Sequence, residues 1–432
     1  MASGIAILLT SALAQGTQSP QDATVPAVQN VERVALPPGM FDLFGTLTTP
    51  RHEMANAGFQ FAANYTVDGG YNLTGGEEAG GFVAWLLTAT VTVDMARVAK
   101  IDGGQFITTW QSYFESNPGP FALVPDWWGY EGLATGIGDI NQVSQCYYQQ
   151  DLLGGAMSII FGKQDASNNF TCPVGASNSF IHTMTYYPAT LVPYLPTYPD
   201  QAMGLVIAGK PADWLSLKTG WFDGTTVYSP NGQATQSTGS IGPGKFFDNP
   251  GSWFFISEGE ANWSLSGGLA GSAGIGGWWQ TGPSVANGWA TPSPPQVSSM
   301  VSGWYAQASQ FVYSPEGDSS SGVQLFGSFG WSSPAQNPAQ WSIMGGCAVS
   351  GLVPGRTDDS FGVAFGYVGF SDSPQVFQST PGLYECAFEA YYKFALTPWM
   401  TLQPDLQVVT AAGVGAELPS AVVGILRLSI NF

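Results

Sequence analysis

Charged side chains inside otherwise apolar stretches are the first residues of this sequence to examine for chemistry. Glu385, Glu389 and Lys393 recur at every fourth position of a run from Tyr384 to Leu396. This spacing would also place them on one helix face, but the alternating apolar residues between them favour a strand. In a strand they share one face. The residues of the opposite face are Cys386, Phe388, Tyr392 and Phe394.

Asp94, Asp405 and Arg427 occur in the same kind of setting. Each lies on the polar phase of an alternating apolar run. Such residues could contact a solute that moves along the strand face, or they could form structural ion pairs that brace the wall. A Glu–Lys ladder could do both, so both interpretations stay open for each residue of this group.

Paired carboxylates also occur in glycosidases, so a secreted β-rich carbohydrate-binding or carbohydrate-active protein is an alternative. On a strand, Glu385 and Glu389 would lie about 13 Å apart at ~3.3 Å per residue, which exceeds the separation that either glycosidase mechanism uses. A lipase-like barrel enzyme needs Ser with His, and neither His52 nor His182 has a convincing catalytic context. The four cysteines include no Cys-x-x-Cys spacing. We therefore predict no catalytic residue, no metal site and no cofactor.

The composition indicates which elements must position these charges. The chain has 432 residues, of which only 9% are charged, whereas a soluble globular chain carries about 25%. A membrane-spanning helix needs roughly 20 consecutive apolar residues, and no such run follows the N-terminus. A chain that contacts lipid without such helices can pair its backbone groups only in a closed barrel. We predict an all-β fold, a closed antiparallel transmembrane β-barrel with an apolar outer face and a polar interior.

Period-2 alternation supports this fold. Apolar residues alternate with polar or very small ones in the runs 58–67, 85–95, 360–367 and 400–408. Each run is near the roughly 9–11 residues that a tilted strand needs to cross a bilayer. Because an Arg or Lys that faces lipid at mid-depth costs roughly 2–4 kcal/mol, the charges on the polar phase should face the lumen.

The last segment is the most specific single feature. Alternate residues from Val422 to Phe432 form one apolar face, and Arg427 lies on the other. A strand that closes on a C-terminal Phe resembles the assembly signal of outer-membrane barrels. An unpaired terminal strand would invite aggregation, whereas pairing with the first strand removes that edge. We expect Phe432 to engage the outer-membrane barrel assembly machinery.

The N-terminal region indicates export. Residues 1–14 are predicted to be a signal peptide that ends in an Ala12-Leu13-Ala14 cleavage site. No Lys or Arg precedes Arg33, so this signal is truncated or atypical, and a disordered apolar tail is the alternative. Residues 15–41 are predicted to be a Pro/Gln-rich periplasmic linker, and residues 42–432 the barrel.

The cysteines fit an exported protein. Cys146 and Cys172 could bridge a loop in an oxidising compartment. Cys347 and Cys386 lie inside predicted strands, where a free Cys behaves as a small apolar residue.

Pairs of adjacent aromatic residues lie near the ends of the predicted strands. Trp and Tyr rings favour the membrane–water boundary, so we interpret these pairs as aromatic girdles, with burial in a core as the alternative. The pairs are Trp127-Trp128, Tyr147-Tyr148, Tyr186-Tyr187, Trp278-Trp279 and Tyr391-Tyr392.

Several short motifs recur in a characteristic order. Gly162-Lys163-Gln164-Asp165 is followed by Gly220-Trp221-Phe222-Asp223-Gly224 and by Arg356-Thr357-Asp358-Asp359. The most specific stretch runs from Glu389 to Gln407 and contains Leu396-Thr397-Pro398-Trp399. By these motifs the chain resembles the carbohydrate-selective porins typified by the glucose porin OprB, from about residue 42 onward. Each motif is weak alone, and it is their shared order and spacing that supports the resemblance.

The resemblance implies a sixteen-stranded barrel with long outer loops and short periplasmic turns, in the outer membrane of a Gram-negative-type bacterium. It implies passive diffusion of small sugars, with outer-membrane lipid around the barrel and no nucleic-acid partner. A general or cation-leaning porin remains the alternative, and monomer versus homo-oligomer stays open. The candidate pore-lining, substrate-binding residues are Asp94, Arg356, Asp358, Glu385, Glu389, Lys393, Asp405 and Arg427.

The charge balance departs from the family pattern. The resemblance implies an arginine-rich constriction, yet this chain has 11 Lys and Arg against 30 Asp and Glu, a formal charge of −19. This excess indicates a lumen or mouth that favours neutral or cationic solutes, unless part of the charge solvates the loops.

Overall fold

A computed structural model describes most of the chain. It describes residues 39–40, 45–136, 138–171, 179–224, 244–247, 252–285, 297–315, 321–335, 337–372, 384–412 and 418–432. The predicted signal peptide (1–14) and nearly all of the predicted linker (15–41) lie outside these residues. Helix α1 and a short link precede the first strand, which begins at Phe59.

The described residues form sixteen strands in one closed barrel. Each strand pairs antiparallel with the next in sequence, and β1 pairs with β16, which confirms the predicted fold. The strands are β1 Phe59–Thr74, β2 Gly80–Asp94, β3 Gly104–Glu115, β4 Ile140–Leu152, β5 Met157–Gln164, β6 Ala202–Ala212, β7 Leu215–Asp223, β8 Trp253–Leu265, β9 Leu269–Val285, β10 Val297–Tyr313, β11 Gly322–Ser332, β12 Ala339–Ser350, β13 Ser360–Phe370, β14 Tyr384–Thr397, β15 Met400–Thr410 and β16 Ala421–Asn431.

The helices are short and lie between or before the strands. None of the described helices has the length and apolar character that a membrane crossing requires. The helices are α1 Gly45–Asn56, α2 Met95–Ala99, α3 Pro120–Leu123 and α4 Gly244–Phe247, and the 3₁₀ turns are Leu153–Gly155, Ala166–Asn168, Thr183–Thr185 and Ala189–Leu191.

The seam between the first and last strands is continuous. Tyr65 lies opposite Ile430 and Asp68 lies opposite Arg427 in the ladder. Phe432 extends the pairing, because its backbone N–H donates to the Ala63 carbonyl at 2.8 Å. The terminal strand therefore has no open edge.

The two faces of the wall differ as the alternation predicts. In β14 the side chain of Phe388 is 50% exposed and that of Glu389 is 2% exposed. Outward aromatic rings stack across neighbouring strands, as Tyr367 on Tyr384 and Phe361 on Tyr392 do. An apolar outer face and a polar inner face result, as a barrel in lipid requires.

The connections at the two ends of the barrel differ in length. One end carries the long connections 116–139, 165–201 and 224–252, and the other carries short ones such as 153–156 and 213–214. Outer-membrane barrels place their long loops outside the cell and their short turns in the periplasm. We name the two ends accordingly.

Two of the long connections fold into the lumen. We call residues 116–139 the first inward segment and residues 165–201 the second, of which 172–178 lie outside the described residues. Trp127, Trp128, Ile181 and Met184 from these segments pack into one core with inward residues of the wall. The wall residues of this core are Phe82, Phe326, Ala339, Met344, Ala348, Ala364, Val368, Phe370, Ala387, Tyr391, Val409, Ala421, Val423 and Ile425.

The second inward segment also reaches the opposite wall. Tyr194 stacks on Trp278 of β9, with ring centroids 5.2 Å apart. Leu191 and Leu195 pack in the same cluster as Phe254 of β8. The second segment therefore crosses the lumen from side to side.

The girdle interpretation of the aromatic pairs was wrong for the pairs in loops. Trp127-Trp128 is buried in the first inward segment, and Tyr186-Tyr187 lies in the second. Within strands, neighbours point to opposite sides, so Trp278 is 1% exposed in the lumen core and Trp279 is 40% exposed outside. Only one ring of each strand pair can serve a girdle.

The predicted cysteine bridge is only half described. Cys146 carries a free thiol in β4, as do Cys347 and Cys386 in their strands. Cys172 lies outside the described residues.

Candidate functional site

The inner face of β14 holds both inward segments. A Glu385 carboxylate oxygen, Oε1, accepts the backbone N–H of Trp127 in the first segment at 2.8 Å. The Glu389 carboxylate accepts the N–H groups of Ile181 at 2.5 Å and His182 at 3.1 Å in the second. Both glutamates are buried. Their side chains therefore anchor the constricting segments to the wall.

Lys393 shares the face of the two glutamates but behaves differently. It is partly exposed on the inward phase of β14, nearer the periplasmic end. Among the described residues it forms no hydrogen bond or ion pair. The guanidinium of Arg427 lies close enough to repel its ammonium group. The Glu–Lys ladder therefore does not form, because the glutamates bind backbone N–H groups of the inward segments instead.

Arg427 makes a second anchor at the barrel seam. Its Nε donates to Asp68 Oδ1 at 2.8 Å and its Nη2 donates to Asp68 Oδ2 at 2.6 Å. Nη2 also lies 3.3 Å from Glu131 Oε1 in the first inward segment. The guanidinium thus joins β1, β16 and the first segment, with the planar bidentate geometry that Arg favours.

Asp405 is buried on the inner face of β15 beside this anchor. Gln407 Nε2 donates to its Oδ1 at 2.9 Å. On the same face, Gln403 Nε2 donates to the carbonyl of Ser179 in the second segment, also at 2.9 Å. This strand thus contributes an amide anchor next to a buried acid.

Further anchors follow the second inward segment across the lumen. Its Ala189 N–H donates to Ser342 Oγ of β12 at 3.0 Å. On the far wall, Glu258 of β8 accepts the N–H of Thr171 at 3.0 Å and the hydroxyl of Tyr305 at 2.8 Å. Lys218 lies 3.4 Å from Glu258 Oε1. Thr171 and Ile181, which lie on either side of residues 172–178, are therefore each held by a wall carboxylate.

Three candidates lie at the periplasmic rim rather than deep in the lumen. Asp94 caps helix α2, where Oδ1 accepts the N–H of Ala96 at 2.9 Å, and it pairs with Arg97 at 3.2 Å. Arg356 donates to Asp359 at 2.8 Å and lies 5.7 Å from the centroid of Phe394, a ring on the outward phase of β14.

Asp358 is exposed in the same turn as Arg356. The structure thus places Arg356 against the outer side of the rim, away from the position that a pore-lining residue needs. Residues 351–359 form a turn, so strand alternation does not determine the side to which the Arg356 side chain points.

The comparisons with known proteins agree with this architecture. Residues 84–432 match the family model of the carbohydrate-selective porins, OprB family. The chain belongs to this family. It is therefore an outer-membrane porin that lets carbohydrates diffuse passively across that membrane. No curated protein matches the chain.

Solved structures support the fold of this OprB-family chain. The high-pH structure of Pseudomonas putida OprB is 18% identical, with a TM-score of 0.74, covering 90% of this chain and 97% of that one. The low-pH structure of the same protein has a TM-score of 0.58 at 17% identity, with 91% and 98% covered. The outer membrane channel DcaP of Acinetobacter baumannii has a TM-score of 0.52 at 9% identity, with 87% and 98% covered.

Several residues that matter for the architecture of this OprB-family lumen escaped the sequence reasoning. Asp68 continues the polar phase of β1 and could have been selected by the same alternation rule as Arg427. Asp126, Glu131 and His182 gave no such signal, because irregular segments have no period that assigns a side. Glu258 lies in β8, where Phe254 and Ile256 share its inward phase, so polar and apolar residues do not alternate strictly.

Burial changes the protonation of the inward segments. It raises the pKa of Asp126 to about 7, although the N–H groups of Tyr130 and Gly129 act in the opposite direction. Burial likewise raises the pKa of Glu131, with the nearby Asp68 carboxylate adding to the effect. Burial lowers the pKa of His182 to about 3. These groups therefore favour their neutral forms.

The negative charge of the chain is distributed unevenly. The described acids in and beside the inward segments are mostly buried and hydrogen-bonded. Several exposed acids lie instead at the two rims, in turns, loops and helix α1. These rim acids include Glu53, Glu77, Glu78, Asp102, Asp213 and Asp358. Among the described residues, no group of three or more His, Cys, Asp or Glu side chains is arranged to hold a metal ion.

Proposed function

We propose that sugars cross the barrel through the part of the lumen that the two inward segments leave open. In this proposal Glu385 and Glu389 shape the opening and do not bind sugar. The contacts of both carboxylates with backbone N–H groups of the two segments carry the proposal. Asp405 and Arg427 belong to the same supporting structure, since each is buried and bonded to a neighbouring side chain.

Lys393 is the candidate that we propose contacts the sugar. Its ammonium group has three donors, and no described residue takes them. Sugar hydroxyls can accept such hydrogen bonds in place of water, and a single exposed contact stays weak enough for release. Across the lumen, Asn262 is exposed on the inward phase of β8 and offers an amide to the same solute.

Liposome swelling with a panel of neutral sugars of increasing size tests which residues shape the opening and which contact the sugar. We expect Lys393→Met to change the ratio of rates between sugars of equal size. We expect Glu389→Gln to change the size limit for all of them. Lys100→Met, in an exposed periplasmic turn, is the matched control for loss of a lysine.

Two outcomes would count against this assignment. Unchanged sugar ratios in Lys393→Met would remove Lys393 from the path of the solute. Equal rates for all sugars of one size in the parent protein would indicate a general porin without a contacting site.

We further propose that Phe432 and the preceding strand present the chain to the barrel assembly machinery, after cleavage of the signal peptide at residues 1–14. The alternation of β16 and the ladder bond from Phe432 to Ala63 support this role. Deletion of Phe432 tests this role.

A further inference from the structure

Asp126 and His182 meet between the two inward segments. His182 Nε2 lies 3.4 Å from Asp126 Oδ2, and both side chains are fully buried. His182 Nδ1 accepts the N–H of Met184 at 3.1 Å. In the neutral ring the proton must therefore lie on Nε2, which faces the carboxylate.

The same region carries backbone contacts between the segments. The N–H of Thr183 donates to the carbonyl of Gly129 at 3.1 Å, and the Thr183 hydroxyl donates to the carbonyl of Trp128. The rings of Trp128 and His182 meet edge to face at 6.3 Å. The two segments therefore share one interface, with a polar pair at its centre.

Each member of the pair is adjacent to an anchor on β14. Trp127, next to Asp126, is held by Glu385, and His182 is itself held through its N–H by Glu389. The two glutamates lie on one face, about 13 Å apart at ~3.3 Å per residue. These contacts form a ring: β14 holds both segments, and the polar pair joins the segments to each other.

We propose that the Asp126–His182 contact is a latch that joins the two inward segments into a single gate. If one segment moved alone, the buried Nε2–H of His182 would lose the Asp126 oxygen 3.4 Å away, and a buried donor without a nearby acceptor is costly. If both moved together, the contact would persist. The size limit of the channel then depends on both segments as one unit. This inference deepens the proposed function, because it concerns the regulation of the same opening.

The full-length protein in planar lipid bilayers tests the latch. Single-channel recordings with neutral polymers of graded size report the opening without any sugar. We expect Asp126→Asn and His182→Gln each to add intermediate conductance levels. Loss of one neutral buried polar contact predicts roughly a twofold to tenfold rise in their population. The double variant should populate the intermediate levels no more than either single variant does, because each substitution removes the same contact.

A control variant and a second pair of variants distinguish loss of the latch from a nonspecific effect of substitution on the channel. Asp102→Asn removes an exposed carboxylate in a periplasmic turn and should add no intermediate conductance level. Glu385→Gln and Glu389→Gln each cut one wall anchor and leave the latch in place. A single gate predicts the same intermediate level for both, and these variants remain informative if a latch variant fails to fold.

Two results would overturn the proposal. One is additive effects in Asp126→Asn/His182→Gln, which would mean that the residues act independently. The other is two different intermediate levels for Glu385→Gln and Glu389→Gln, which would mean that the segments move separately. Neither result depends on sugar rates, so a failure of the latch is distinguishable from a failure of the sugar-contact assignment.

Discussion

Arg427 and Asp68 face each other across the seam where the last strand closes on the first. They are direct partners in the ladder, and the guanidinium binds the carboxylate with contacts of 2.8 and 2.6 Å. The same guanidinium reaches Glu131 of the first inward segment at 3.3 Å. Closure of the barrel and placement of the segment thus depend on one side chain.

Replacing Arg427 should therefore destabilise the barrel more than a typical polar substitution. Arg427→Gln would leave Asp68 buried without a counter-charge and would remove the contact with Glu131; a buried pair that loses one partner costs about 3–5 kcal/mol. The measurement is the temperature at which the folded form converts to the slow-migrating unfolded form on a gel. The double variant Asp68→Asn/Arg427→Gln should recover part of the loss. A double variant that is less stable than Arg427→Gln would contradict this account.

The Asp126–His182 pair predicts an unusual dependence of stability on pH. Below pH 7 the folded pair holds one proton, because the pKa of Asp126 is raised to about 7 and that of His182 is lowered to about 3. In the unfolded chain, between about pH 4 and pH 6.5, the aspartate is charged and the histidine is protonated, which is again one proton. The pair should contribute no slope in this window.

Single variants should reveal two opposite slopes. In Asp126→Asn the remaining His182 binds its proton only when unfolded, so stability should fall as the pH drops below 6.5. In His182→Gln the remaining Asp126 binds its proton more tightly when folded, so stability should rise as the pH drops from 7. Each slope approaches about 1.4 kcal/mol per pH unit at most. Thermal midpoints between pH 4 and 8 measure these slopes, and parallel curves for the two variants would refute the assignment.

Deletion of Phe432 should impair assembly more than stability. The residue extends the ladder by a bond from its N–H to the Ala63 carbonyl, whereas the β1–β16 pairing from Asn64 to Thr74 does not include it. The expected effect is a lower amount of folded, heat-modifiable protein in outer membranes, with near-normal melting of the fraction that folds. Phe432→Tyr keeps an aromatic end and should assemble normally. If the deletion variant reached the same amount in outer membranes as the parent protein, Phe432 would have no role in assembly.

The wall of the barrel was predictable from the sequence for a physical reason. Alternation sets the side of every strand residue, so the inward positions of Glu385, Glu389 and Lys393 follow from the period alone. A one-residue slip would have placed three charges in lipid, and this cost fixes the register. The same rule extends to Asp68, which continues the polar phase of β1.

The interior of the barrel was not predictable in the same way. Nothing in the composition of residues 116–139 and 165–201 indicates that they turn inward. Their aromatic pairs were therefore assigned to the membrane surface, whereas Trp127 and Trp128 are buried in the lumen. The functions of Glu385 and Glu389 depend on Trp127, Ile181 and His182, which are far away in sequence. Such long-range pairings leave no local pattern.

Ion selectivity should depend on the rims more than on the lumen. The buried acids are engaged with the inward segments, whereas Glu77, Asp102 and Asp213 are exposed at the two ends. Surface charges attract counter-ions over a Debye length of about 10 Å at 0.1 M salt and about 3 Å at 1 M. We therefore expect a cation preference at low salt that weakens steadily as the salt concentration rises.

Lys393 should oppose this preference from inside the lumen. Its side chain is partly exposed on the inner face and no described residue forms an ion pair with it, so Lys393→Gln should increase the cation preference measured from reversal potentials across a salt gradient. Lys100→Gln removes the same charge in an exposed periplasmic turn and serves as the matched comparison. A larger shift in the Lys100 variant would place the selective region at the rim alone. Anion preference in the parent protein would contradict the expected dominance of the rim acids.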